Sequence, residues 1–272
     1  MHSRRGWLIC AWGVVWREGL RFVQQRERFL AALVRPLVWL FVFAAGFRAV
    51  LGIPIQPPYQ TYIPYEVYVT PGLCAMIQLF QGMQSSLSMV YDRETGAMRT
   101  LLVSPYPRWF LLVAKLGAAV VVSAVQVYAF LLIAWVYGVE PPPLGFLTVL
   151  PALVLSGMLL GAMGLFLSSA VKQLENFAGV MNFVIFPMFF ASSALYPLWY
   201  IQEGSVWLHR VASFNPFTHC VELVRFGLYV QVNWEALAYV IGWTALFLGG
   251  AILAYDPSKG MIGRRRGPGA AG

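Results

Sequence analysis

Six stretches of this chain, 29–50, 66–90, 109–137, 146–170, 176–200 and 235–255, are long and apolar enough to cross a bilayer. That leaves few folds open. A spanning helix needs about 20 predominantly apolar residues. Inside lipid every backbone N–H and C=O must find a partner within the protein, which restricts such runs to helices or closed barrels. Charged residues make up 11% of the chain, against about a quarter in a soluble domain. That is too little charge to coat a water-soluble globule of 272 residues. The expected fold class is an all-α membrane protein with six transmembrane helices.

An even number of spans places both termini on one side, and the basic residues choose the side. Arg4, Arg5, Arg17, Arg21, Arg26 and Arg28 precede the first span. Arg93, Arg99, Arg108 and Lys115 flank the segment between spans two and three, Lys172 lies in the turn after span four, and Lys259 and Arg264 to Arg266 lie in the tail. The opposite side receives Arg210 and Arg225, with Arg48 near the end of span one. Such a bias marks the first group as cytoplasmic, so both termini are expected inside. It also accounts for the net charge of +8 without a nucleic-acid partner. Three parts follow: an interface helix at 1–28, the membrane domain at 29–255 and a basic, disordered tail at 256–272.

Residues 7–28 carry Trp12, Trp16, Leu20 and Val23 on one helical face and Arg17, Arg21, Gln24 and Arg28 on another. That pattern suits an amphipathic helix in the cytoplasmic headgroup layer, or one packed against another protein. No small-residue cleavage site separates the apolar patch Trp7 to Trp16 from Arg17, Glu18 and Arg21, so no cleavable leader is expected. Residues 201–234 are too long for a turn and too apolar for a free loop. They are expected as short helices dipping into the outer leaflet, with a break at Asn215-Pro216, since Pro lacks a donor and disfavours α backbone before it.

The chain offers little chemistry of its own. It has no glycine-rich phosphate loop ending in Lys-Ser/Thr, so it is not expected to hydrolyse ATP. Its three histidines, His2, His209 and His219, form no metal motif, and Cys10, Cys74 and Cys220 lack metal-like spacing. Ser192 and Ser193 are expected to pack helices rather than act as nucleophiles. The mid-span carboxylates of an ion-coupled carrier are missing: Glu66 and Glu235 lie near span ends and Glu175 in a turn. Arg35 is the deepest charge, with Pro36 after it, and is expected to snorkel to the cytoplasmic surface. Energy must therefore come from a partner, unless the chain is an ion-coupled secondary transporter or a non-transporting assembly factor.

The place for such a partner is the charged island Tyr91 to Lys115. Its polar half reads as a short surface helix ended by Pro105 and Pro107, or as an ordinary solvated loop. The run Arg93-Glu94-Thr95-Gly96-Ala97-Met98-Arg99-Thr100-Leu101-Leu102-Val103-Ser104-Pro105, then Arg108 and Lys115, resembles the cytoplasmic signature of ABC type-2 exporter permeases. Leu195-Tyr196-Pro197, Phe214-Asn215-Pro216-Phe217-Thr218-His219 and Glu222-Leu223-Val224-Arg225 are similar to that family's second conserved-type segment. Ala97 stands where Thr is common, and Ala114-Lys115 replaces Gly-Lys.

The resemblance implies a permease of the bacterial cytoplasmic (inner) membrane, working as a homodimer or with a second permease chain. Two ABC ATP-binding subunits would sit beneath it, and ATP and Mg would be bound by those partners, with no cofactor on this chain. It implies a coupling helix with Asp92, Arg93, Glu94, Gly96, Arg99, Leu101 and Leu102 as its contacts, and an N-terminal interface using Arg17, Arg21 and Arg28. Tyr196, Pro197, Asn215, Pro216, Glu222 and Arg225 would belong to outer re-entrant helices. The exported substrate stays open. Trp39, Phe41, Phe80 and Phe189 would suit an apolar or amphiphilic cargo, although they fit lipid-facing or core packing better.

Overall fold

Where the sequence holds its apolar runs, the backbone closes into helices. The structure, a computed structural model, describes residues 4–24, 26–43, 46, 56–94, 106–171 and 174–254, and among them no strand forms. In chain order the helices are α1 (Arg4–Gln24), α2 (Arg26–Val38), α3 (Tyr65–Glu94), α4 (Arg108–Val136), α5 (Gly145–Ala170) and α6 (Leu174–Phe190). Three short helices follow, α7 (Leu198–Gly204), α8 (Val206–Phe214) and α9 (Pro216–Leu228), and then α10 (Trp234–Ala254). Pro36 removes one backbone donor inside α2. Beyond Val38 the helix widens into a π turn, Trp39–Phe43, which sets the Trp39 ring 5.5 Å from Phe189 and 5.9 Å from Phe190.

Three of these helices are long and apolar enough to cross a membrane among the described residues: Trp109–Val136, Gly145–Ala170 and Trp234–Ala254. Ala32–Val42 and Asn176–Phe190 are apolar but shorter. The helix over the expected second span, α3, has 30 residues and misses that composition because it carries polar side chains inside the protein. Thr70 Oγ1 donates to the Glu66 carbonyl at 2.7 Å, Gln78 Nε2 to Leu153 at 2.6 Å and Ser86 Oγ to Gly82 at 2.9 Å. Each hydrogen bond offsets the desolvation cost of its donor. A helix packed against α2, α4, α5, α6 and α9 has little need of a lipid-soluble surface. Tyr68, Leu73, Met76, Leu79 and Met83 on it are fully buried.

Around α3 the core is close-packed through α5, which touches α3, α4, α9 and α10. The two axes approach at glycine: a Cβ on Gly82 would lie 3.0 Å from the Gly161 Cα. Small residues let helix backbones come this near, which matters most in lipid, where packing rather than water exclusion holds helices together.

The fifth span differs from expectation. It was expected to run to 200, but α6 stops at Phe190 and residues 191–197 are irregular before α7 begins. Ser192 and Ser193 therefore do not pack within a helix. The apolar run continues past Phe190, so hydropathy alone carries the helix too far. What ends it is a set of buried side chains that take over the free carbonyls, described below. The irregular segment lies hard against α3: a Cβ on Gly72 would sit 2.8 Å from the Ala194 Cα.

That contact is with backbone, so it has no soft way to relax. Gly72→Ala is expected to cost about 1–3 kcal/mol through overpacking and to lower the unfolding temperature in detergent. Gly242→Ala, whose added Cβ meets nothing within 4 Å, is expected to leave it unchanged.

Candidate functional site

The two ends of the bundle are built differently. At the end where α3 begins, the irregular segment 191–197 exposes carbonyls that no helix satisfies. Tyr65 and Tyr68, on α3, reach it. The Tyr68 hydroxyl donates to the Ser193 carbonyl at 3.0 Å and the Tyr65 hydroxyl to Leu195 at 3.1 Å. Arg225 on α9 adds a second donor to Ser193, from Nη2 at 2.8 Å, and its Nη1 donates to Glu222 Oε1. The guanidinium carbon stands 4.2 Å from the centre of the Tyr68 ring. Arg225 is 2% exposed, so its charge is held by one carboxylate, one carbonyl and one aromatic face together.

Asn215 closes the same end. Its Nδ2 donates to Met188 and Ala191, both at 2.7 Å, and its Oδ1 accepts from the Phe217 N–H at 3.0 Å. One amide thus caps the C-terminus of α6 and the N-terminus of α9, where Pro216 fills the first helical position, a place that needs no donor. The expected break at Asn215-Pro216 is present between α8 and α9. Pro197 forms the extended N-cap of α7, and the half-buried Tyr196 packs on the main core. Tyr59, itself buried, sets its ring 4.8 Å from Tyr229 beside this cluster.

Arg225 entered the charge count on the outer side, with nothing said of its burial. The structure shows the guanidinium buried and paired. Tyr68 and the Ser193 carbonyl were not anticipated as its partners, nor Tyr65 as the donor to Leu195. The signal available was two tyrosines three apart in 64–68, too common a pattern to single out.

At the opposite end, α3 finishes with Asp92, Arg93 and Glu94 as its last turn. Thirty residues of helix span about 45 Å at 1.5 Å per residue, longer than the roughly 30 Å hydrocarbon core. The side chains of these three lie outside the described residues, as do Gly96, Arg99, Leu101 and Leu102 altogether. Nearby, α1 is fastened to the start of α4 by Trp7, whose ring lies 5.4 Å from Tyr106, 5.9 Å from Trp109 and 4.7 Å from Phe110. Arg17 on α1 is exposed and pairs with Glu18 at 3.0 Å. Arg21 is on α1 and Arg28 on α2, their side chains outside the described set. Trp12 and Trp16 stack 6.4 Å apart and stand exposed.

Between the ends stands Arg35. Its guanidinium lies 3.7 Å from the centre of the Phe80 ring on α3. An aromatic face offers a desolvated cation an attraction that lipid does not. His219, by contrast, stacks on Tyr239 with centroids 4.1 Å apart. Among the described residues no group of three His, Cys, Asp or Glu is placed to hold a metal ion, and all three cysteines are free.

Residues 11–229 match the family described as ABC-2 type transporter. The putative transport permease ycf38 of Cyanophora paradoxa is 27% identical over 78% of this chain and 72% of its own length. The probable multidrug ABC transporter permease YbhR of Escherichia coli is 30% identical over 70% of this chain and 50% of its own length. Nodulation protein J of Rhizobium leguminosarum bv. viciae is 21% identical over 79% of this chain and 80% of its own.

The Arg225 cluster predicts a measurable asymmetry. Arg225→Met leaves Glu222 and the Ser193 carbonyl short of a partner and is expected to cost about 3–5 kcal/mol, the scale for breaking a buried pair. Arg225→Lys keeps the charge but loses the planar fork, so it is expected to fall between Met and the native residue. Thermal unfolding of the purified variants in detergent reads both.

Proposed function

This chain belongs to the ABC-2 type transporter family, and we propose that it is the membrane-spanning permease subunit of an ATP-driven exporter. The observation that carries the reading is the reach of α3, which runs beyond hydrocarbon thickness and ends in Asp92, Arg93 and Glu94, in a chain with no phosphate loop of its own. In this reading α2, α3, α4, α5, α6 and α10 are the six spans and both termini are cytoplasmic. The α3 end, with Gly96, Arg99, Leu101 and Leu102 beyond it, docks on a separate ATP-binding subunit. The helix α1, with Arg17 and Arg21, and Arg28 at the start of α2, complete that contact. ATP and Mg are bound by the partner, and no cofactor is bound by this chain.

Two permease copies and two ATP-binding subunits make the working unit, in the bacterial inner membrane. The short helices α7 to α9, with Tyr196, Pro197, Asn215, Pro216, Glu222 and Arg225, shape the outer exit. ATP binding drives transport only if it favours one packing of the dimer over another, because a ligand shifts an equilibrium only by its differential affinity. Relatives named as transport permeases support the assignment.

Reversing both charges at the α3 end, Arg93→Glu with Glu94→Arg, is expected to abolish export while the permease still folds. Co-purification of the ATP-binding subunit is expected to fall with it. Unchanged export together with unchanged co-purification would contradict docking at this end.

A further inference from the structure

Arg35 is the charge that the transport reading leaves without a role. It sits on the apolar helix Ala32–Val42, and its side chain is exposed. Among the described residues it has no carboxylate or carbonyl partner, and its one contact of that kind is the face of Phe80. A guanidinium laid flat on a ring keeps its edge N–H groups free, and that edge matches an oxyanion in a two-pronged geometry. One turn further along α3 from Phe80 stands Gln84, also exposed, an uncharged side chain with N–H donors. On α2 and α6 stand exposed apolar side chains: Val34 and Val38 on α2, and Phe186 and Phe190, stacked 6.4 Å apart, on α6.

A surface that only faced lipid tails would have no reason to hold a cation at this depth, where charge is costly and usually functional. We propose that Arg35, seated on Phe80 with Gln84 one turn along, is a headgroup subsite for an amphiphilic cargo bearing an oxyanion. The cargo's apolar tail lies along the exposed side chains of α2 and α6. Resting on the permease reading, this narrows the cargo to anionic amphiphiles. Charge complementarity selects that occupant: the site has a cation in Arg35, an uncharged donor in Gln84 and no acid among the described residues.

The test uses the full chain in nanodiscs of phosphatidylcholine, with dodecyl phosphate and dodecyltrimethylammonium as probes of equal tail length. The native protein is expected to bind the phosphate about tenfold more tightly, the ratio that one charge-assisted hydrogen bond supplies. Arg35→Gln is expected to bring the ratio to about one. Gln84→Glu, a change at an exposed position that leaves Arg35 in place, is expected to weaken phosphate binding without weakening the ammonium probe. An undiminished phosphate preference in both variants overturns the subsite. So does equal competition by phosphatidylglycerol in the disc, which would make the occupant ordinary bilayer lipid. Binding is read without any ATP-binding subunit, so its failure is separable from failure of the transport reading, which shows instead as loss of co-purification.

Discussion

The carbonyl of Ser193 accepts hydrogen bonds from two buried side chains on different helices, and much of this architecture depends on that pairing. A backbone cannot leave its helix at membrane depth unless protein satisfies the groups it frees. Tyr68 from α3 and Arg225 from α9 do so at Ser193, Tyr65 does so at Leu195, and Asn215 caps α6 at Met188 and Ala191. With those partners in place, α6 can end at Phe190 and the chain can turn into α7, α8 and α9. Without them the same sequence would have to continue as helix or expose unpaired carbonyls to hydrocarbon. Burying Arg225 is in turn acceptable because Glu222 and the Tyr68 ring hold its charge.

Much of this was legible beforehand where hydropathy and structure ask the same question. Spans expected at 109–137, 146–170 and 235–255 appear as Arg108–Val136, Gly145–Ala170 and Trp234–Ala254, because each apolar run ends where its helix does. Span five shows the limit. Its apolar run outlasts the helix, and the stop lies in side chains from residues 65, 68, 215 and 225, distant in sequence. No local pattern carries that information. The burial of Arg225 was not legible for the same reason: the Ser193 carbonyl and the Tyr68 ring are brought to it by packing and are not its neighbours in the chain. The Asn215-Pro216 break was readable because both residues act on their own backbone. At the candidate docking end, Asp92 to Glu94 are placed by the length of α3, whereas the seat of Arg35 on Phe80 was not legible because Phe80 belongs to another helix.

The contrast between the ends gives the protein a mechanical logic. At one end buried hydrogen bonds tie α3, α6 and α9 into a unit, and the glycine approach at Gly82 and Gly161 joins α3 to α5. Interfaces packed this closely move as bodies instead of deforming gradually. A force applied where α3 ends would therefore be carried along 30 residues of helix to the clamp at its start. The proposed cargo subsite lies between, with Arg35 on α2 seated on Phe80 of the helix that would carry the motion.

The central claim is that energy enters this chain from a separate ATP-binding subunit at the Asp92–Glu94 end of α3. Site-specific cross-linking of the purified complex tests it most directly, with a photoreactive residue placed at Glu94 in one sample and at Val230, beside the opposite end, in another. The account predicts adducts with the ATP-binding subunit from position 94 and none from position 230. Adducts from position 230 alone, or from neither position in a complex that retains both subunits, would contradict it.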